Sequence, residues 1–126
     1  VDCFVFVVDD DAATCDLLDQ LLEDEGYQVV CVQHARDALD YLMTTTRLPD
    51  VVLIDFVMPG MNAVEFRRRQ QQDPQLAAIP VVLMSARRSL DVSNIDPPAA
   101  AVVDKPFSID SLVAVIEQVC GENRVA

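Results

Sequence analysis

Four apolar runs in this 126-residue chain each lead into a side chain able to do chemistry. CFVFVV leads into Asp9, Asp10 and Asp11, VVLI into Asp55, PVVLM into Ser85, and AAVVD into Lys105. A carboxylate at the margin of a core costs solvation energy, so it needs partners or a task. If the runs are strands of one parallel sheet, their ends share an edge and the carboxylates repel. Two charges about 4 Å apart cost roughly 4 kcal/mol at an effective dielectric of about 20. A divalent cation relieves that repulsion, and oxygen-only ligands with room for water suit Mg2+.

Lys105 is the only lysine, and the other eight basic residues are arginines. A compact ammonium at this place, followed by Pro106 and Phe107, differs in kind from the planar fork used elsewhere on the chain. Ser85 supplies a small hydroxyl donor. Cation, ammonium and hydroxyl around a carboxylate suit a phosphoryl group, which spreads negative charge over three oxygens in its transition state. The carboxylate can itself be the nucleophile, giving an aspartyl phosphate. Plainer uses exist for each residue. Asp55 can cap a turn before Pro59, Asp9 and Asp10 can cap the next helix as Asp11 also can, and Ser85 can be a satisfied loop hydroxyl.

The elements that must position these residues follow from periodicity. Residues 3–8 form an apolar strand pattern. In residues 12–25, Leu17, Leu18, Leu21 and Leu22 recur one turn apart and read as a single inward stripe, with Gly26 as the stop. Residues 28–32 read as a second strand and 35–43 as a helix burying Ala38, Leu39 and Leu42. Residues 51–54 are a third strand, 62–72 a polar helix, 80–84 a fourth strand and 100–103 a short fifth. Ser108 is placed to cap a last helix that turns Leu112, Val113, Ile116 and Val119 inward. Residues 86–99, with β-branched residues and Pro97-Pro98, support only a short, weak helix. Five strands alternating with helices predict an open parallel α/β sheet covered on both faces, with strands 1, 3 and 4 central. Ligands of such sheets bind beyond the carboxyl ends of the strands, where strand order reverses.

No repeat, low-complexity tract or linker interrupts residues 1–126, which predicts one domain. The start at Val1 is read as an excised or processed beginning. Net charge is −12, which repels nucleic-acid phosphates and anionic membrane surfaces, so neither is an expected partner. No apolar run approaches the roughly 20 residues needed to span a bilayer, and no cleavable leader opens the chain. Cys3, Cys15, Cys31 and Cys120 have no CxxC spacing and are read as reduced, buried thiols in a cytoplasm, without disulfide or zinc site. His34 reads as a solvated loop residue, and Arg67, Arg68 and Arg69 as a solvated helix face.

VVDDD, LIDFVMPGM, VVLMSA and VVDKPF, in that order and at compatible spacing, resemble the receiver domain of two-component response regulators over essentially the whole chain. The resemblance implies a flavodoxin-like doubly wound (βα)5 sandwich with strand order 2-1-3-4-5. It implies Asp55 as phospho-acceptor, Asp9 and Asp10 as the acidic pair serving Mg2+, and Asp55 with the backbone carbonyl of Val57 completing the metal shell. Ser85 then engages the phosphoryl group, Lys105 is its counter-charge, and the Lys105-Pro106 bond is cis. The implied partner is a sensor histidine kinase or phosphotransfer protein, with a phosphorylation-dependent homodimer as a further association. The implied location is the cytoplasm, and the only catalysis is of the domain's own phosphorylation and dephosphorylation.

Two positions depart from the family pattern. Val102 stands where receivers often carry Tyr or Phe, three residues before the lysine. Asn62-Ala63 replaces the usual Asp-Gly, and Ala tolerates positive φ poorly. The alternative function is a constitutive receiver-like interaction module that no longer switches. An aspartate-nucleophile phosphatase would want an acid at Val57. A nucleotide-binding flavodoxin would want a glycine-rich phosphate loop, which Gly26, Gly60 and Gly121 do not form.

Overall fold

A computed structural model of the chain describes residues 3–56, 58, 60–85, 99–105 and 108–124. Within them β1 (Phe4–Val8), β2 (Gln28–Val32), β3 (Val51–Asp55), β4 (Val81–Ser85) and β5 (Ala101–Asp104) are the strands. The helices are α1 (Ala12–Asp24), α2 (Ala35–Thr44), α3 (Ala63–Gln70), the single turn α4 (Pro74–Ala77) and α5 (Ile109–Arg124). All strand pairs are parallel, in the order β2-β1-β3-β4-β5. The fully buried β1 and β4 are continuously apolar up to Val8 and Met84, as strands covered on both faces must be.

Alternation along each strand divides the core in two. Phe6, Val8, Val52, Ile54 and Leu83 face α2, α3 and α4. Val5, Val7, Leu53, Val82 and Met84 face α1 and α5. This follows from the period-2 pleat combined with right-handed crossovers, which put α1 on one face and, once strand order reverses after β2, α2, α3 and α4 on the other. The reversal lies between β1 and β3, which stay paired through Val8 and Ile54, so the connections that leave them turn to opposite faces and open a crevice at the carboxyl edge.

The helix starts follow the sequence closely. Asp11 caps α1, its Oδ1 accepting from the Ala13 N–H at 3.2 Å. Asn62 caps α3 by accepting from the Glu65 N–H at 3.0 Å, and Ser108 Oγ accepts from the Ser111 N–H at 3.1 Å. Ala63 carries no strain: it is the first residue of α3, and the positive φ of this connection falls on Gly60, at 75°.

Several expectations are corrected. The four leucines of α1 do not form one stripe, because adjacent residues on a helix are about 100° apart. Leu18 and Leu22 are buried, while Leu17 is 55% exposed. Arg67 is no surface residue: it is 7% exposed, and its NH1 donates to Gln70 Oε1 at 2.8 Å. Gln70 Nε2 in turn donates to the carbonyls of Leu76 and Ile79 at 2.7 and 2.9 Å, tying α3 to the α4 turn. Arg68 and Arg69 do lie outside, paired with Glu65. The cysteines are not free thiols. Cys3 is bonded to Cys120 and Cys15 to Cys31. Spacing along the chain could not reveal this, since each pair is made by tertiary packing: the β1 entrance against the end of α5, and the first turns of α1 against β2. Residues 86–98, Val57 and the Lys105-Pro106 bond lie outside the described residues.

Candidate functional site

The carboxyl edge of the sheet brings together five of the residues singled out in the sequence. Asp9 follows β1 and is fully buried, and Asp10 beside it is exposed. Asp55 and Ser85 are the last residues of β3 and β4, and Lys105 follows β5. Backbone bonds continue past the strand ends and hold this edge rigid. The Asp9 N–H donates to Val32 O at 3.1 Å, the Phe56 N–H to Met84 O at 2.8 Å, and the Lys105 N–H to Ser85 O at 2.7 Å.

Oxygens of Asp9, Asp10 and Asp55 lie within 4.8 Å of one another. Lys105 Nζ donates to Asp9 Oδ2 at 2.9 Å and stands 3.5 Å from Asp55 Oδ2, so one ammonium bridges the two inner carboxylates. The other oxygen of Asp9 accepts from the Asp11 N–H at 2.9 Å. Burial alone would lower the pKa of Lys105, but the hydrogen bond to Asp9 and the charges of Asp55 and Asp9 outweigh it, and the net direction is upward. Lys105 therefore remains a cation throughout the neutral range.

Among the described residues, three carboxylates against one ammonium leave the cluster with surplus negative charge. At separations of about 5 Å, each carboxylate pair costs roughly 3 kcal/mol at an effective dielectric of about 20. The donor set is all oxygen, it is convergent, and the exposed Asp10 leaves one side open to water. Those are the features a hard, partly hydrated cation such as Mg2+ selects. Ser85 is 4% exposed at the neighbouring strand end, one residue beyond the Met84 that pairs with Asp55.

The sequence did not point to Cys15 as part of this region. Its Sγ lies 3.4 Å from the Asp9 carbonyl oxygen, directly beneath the acidic edge.

The family model described as "Response regulator receiver domain" matches residues 5–117. The chain belongs to the response regulator receiver family. Among curated relatives, the receiver is 33% identical over 112 residues to the phosphate regulon transcriptional regulatory protein PhoB of Rhizobium meliloti, covering 87% of this chain and 48% of that protein. It is 28% identical to PhoB of Pseudomonas aeruginosa, covering 91% of this chain and 50% of the relative. The chain thus spans about half the length of the curated relatives it matches. Among solved structures, the signal receiver domain of a signal transduction histidine kinase from Syntrophus aciditrophicus superposes with a TM-score of 0.86 at 25% identity, over 98% of this chain and 94% of that one. The receiver domain of a Pseudomonas aeruginosa sensor histidine kinase, with a magnesium ion coordinated in its active site cleft, matches at 0.85 and 16% identity over 96% and 99% of the two chains. The flavodoxin-like fold of this receiver is common to both. Among the described residues, no helix of the receiver is long and apolar enough to cross a membrane.

Proposed function

We propose that this receiver domain accepts a phosphoryl group on Asp55 in a cation-dependent transfer from a histidine kinase or phosphotransfer protein. The observation that carries the reading is the convergence of Asp9, Asp10 and Asp55 within 4.8 Å, with Lys105 bridging Asp9 and Asp55. In the transfer an Asp55 carboxylate oxygen attacks phosphorus, the bond from phosphorus to the donor nitrogen breaks, and that nitrogen takes up a proton. Lys105 meets the charge on the transferred oxygens, and Ser85 donates its hydroxyl to one of them. Asp9 and Asp10, with Asp55 and the Val57 carbonyl, are the residues to hold Mg2+. When bound, that ion supplies positive charge against both the carboxylates and the phosphoryl oxygens. The similar Pseudomonas receiver with magnesium in its cleft supports this choice of metal. The consequence of modification is a population shift at the face around β4 and β5.

Incubation with a small phosphodonor and Mg2+ is expected to add one phosphoryl group by intact mass. The adduct should disappear with a chelator and in Asp55→Asn. Labelling of Asp55→Asn equal to wild type would refute the assignment.

A second reading rests on Val102, a small aliphatic residue 43% exposed on β5. It offers no aromatic ring to move between inner and outer positions, so the domain would serve as a constitutive interaction module. Amide shifts on β4 and β5 that stay unchanged with a phosphoryl mimic, while the pocket responds, would favour it.

A further inference from the structure

The Cys15–Cys31 pair is built into the same few ångströms of backbone that carry the acidic cluster. Cys15 lies in the first turns of α1 and is buried, and Cys31 lies half-buried on β2, an edge strand of the sheet. One peptide group flanking the Asp9 side chain meets this pair directly, and the other meets its chain neighbour. The Asp9 N–H is held by the carbonyl of Val32, the residue next to Cys31, and the Asp9 carbonyl oxygen is 3.4 Å from Cys15 Sγ. The Val32 carbonyl is itself 3.9 Å from that sulfur. A disulfide sulfur has no proton to donate, whereas a Cys15 thiol would find two acceptors already in place. Asp9 would thus meet different contacts in the two redox states.

We infer that Cys15–Cys31 is a redox site that sets the cation affinity of the acidic cluster, the bonded form binding Mg2+ more tightly than the dithiol. The inference rests on the phosphoryl-transfer reading for the role of that cation. The bond pins the start of α1 to β2 and thereby pre-organises Asp9 and Asp10. The reductant is a dithiol. Its thiolate attacks Cys31 Sγ, the sulfur–sulfur bond breaks, and Cys15 leaves as a thiolate that takes up a proton. The second thiol of the reductant then displaces Cys31, leaving two thiols here and one disulfide in the reductant, a transfer of two electrons. Cys3 and Cys120 are both buried, at 0% and 3% exposure, so attack through the edge-strand Cys31 comes first.

The test uses the full chain, oxidised or treated with graded dithiothreitol, with bonding read by alkylation and peptide mass spectrometry. Mg2+ affinity is read from amide shifts on titration. Loss of Cys15–Cys31 with Cys3–Cys120 intact is expected to weaken Mg2+ binding about tenfold, within the ordinary range for coupled sites. Cys31→Ala is expected to bind at the weaker level with or without dithiothreitol. Equal affinity in the two redox states of the wild-type chain overturns the inference while leaving the phosphoryl-transfer reading standing. So does alkylation of Cys15 and Cys31 without any reductant. No Mg2+ binding in either state overturns the phosphoryl-transfer reading and the inference with it.

Discussion

At the amino end of the sheet, Cys3, Asp50 and Cys120 offer ligand atoms within 4.8 Å of one another, as Asp9, Asp10 and Asp55 do at the carboxyl end. The first group is turned to structure. Its sulfurs are bonded to each other, and Asp50 Oδ2 accepts from the Phe4 N–H at 2.8 Å while the Asp50 N–H donates to Phe4 O at 2.9 Å. At the second, an ammonium touches two of three carboxylates, and the third faces solvent. Residue type does not separate the two ends, since each contains buried or half-buried acid. What separates them is the partner: a main-chain N–H and a sulfur–sulfur bond hold the amino-end group, and a side-chain ammonium bridges two carboxylates of the other. β1 and β3 begin beside each other and satisfy one another there, but at the order reversal the connections that leave them turn to opposite faces.

Substitutions at the two ends should therefore have opposite signatures. The largest effect on stability is expected at the amino end. Cys120→Ala removes a bond closing a sequence separation of 117 residues, and chain-entropy arguments put the loss at about 5 kcal/mol. Urea unfolding would measure it, and Mg2+ affinity should not change. Next is Lys105→Met, which leaves the buried Asp9 without its ammonium. With Lys105 21% exposed, the cost is about 2 kcal/mol, below the range for fully buried pairs. The pH dependence has a definite sign. Because the folded pKa of Lys105 is raised, its contribution is fully present below the unfolded value of about 10.4 and is lost as pH rises through the folded value. The gap between wild type and Lys105→Met should narrow over that alkaline window, and a gap that widens would contradict the pairing.

Asp50→Ala comes third. It leaves the Phe4 N–H without its acceptor at a cost of about 1.5 kcal/mol in urea unfolding, again with unchanged Mg2+ affinity. The smallest effects separate two adjacent acids. Asp11→Ala removes the α1 cap for about 1 kcal/mol and spares the metal site. Asp10→Ala should shift stability by less than about 0.5 kcal/mol and still weaken Mg2+ binding. Equal Mg2+ affinities for these two variants would erase the distinction between capping and ligating acids.

Much of this contrast was legible in the sequence. Asp9, Asp55, Ser85 and Lys105 stood out because each ended an apolar run, and the parallel sheet aligns the ends of its strands. Strand order followed from the resemblance, and the central place of β1, β3 and β4 from their continuously apolar runs. The amino end was illegible for a physical reason. Asp50 sits in an ordinary polar connection before β3, and nothing local says that it will reach the first N–H of β1. The disulfides, the burial of Arg67 and the outward turn of Leu17 are likewise products of tertiary neighbours. The α4 turn escaped notice because four residues are too few to establish a helical period, although Asp73 and Pro74 are a capping pair for it.

The most direct test of the account follows every amide signal of the full chain through Mg2+ addition and then through beryllofluoride, a phosphoryl mimic. Shifts are predicted at residues 9–11, 55, 56, 85 and 105, growing with the mimic, with residues 3, 4, 50 and 120 unmoved. Shifts at the amino end as large as those at the carboxyl end, or none around Asp55, would contradict it.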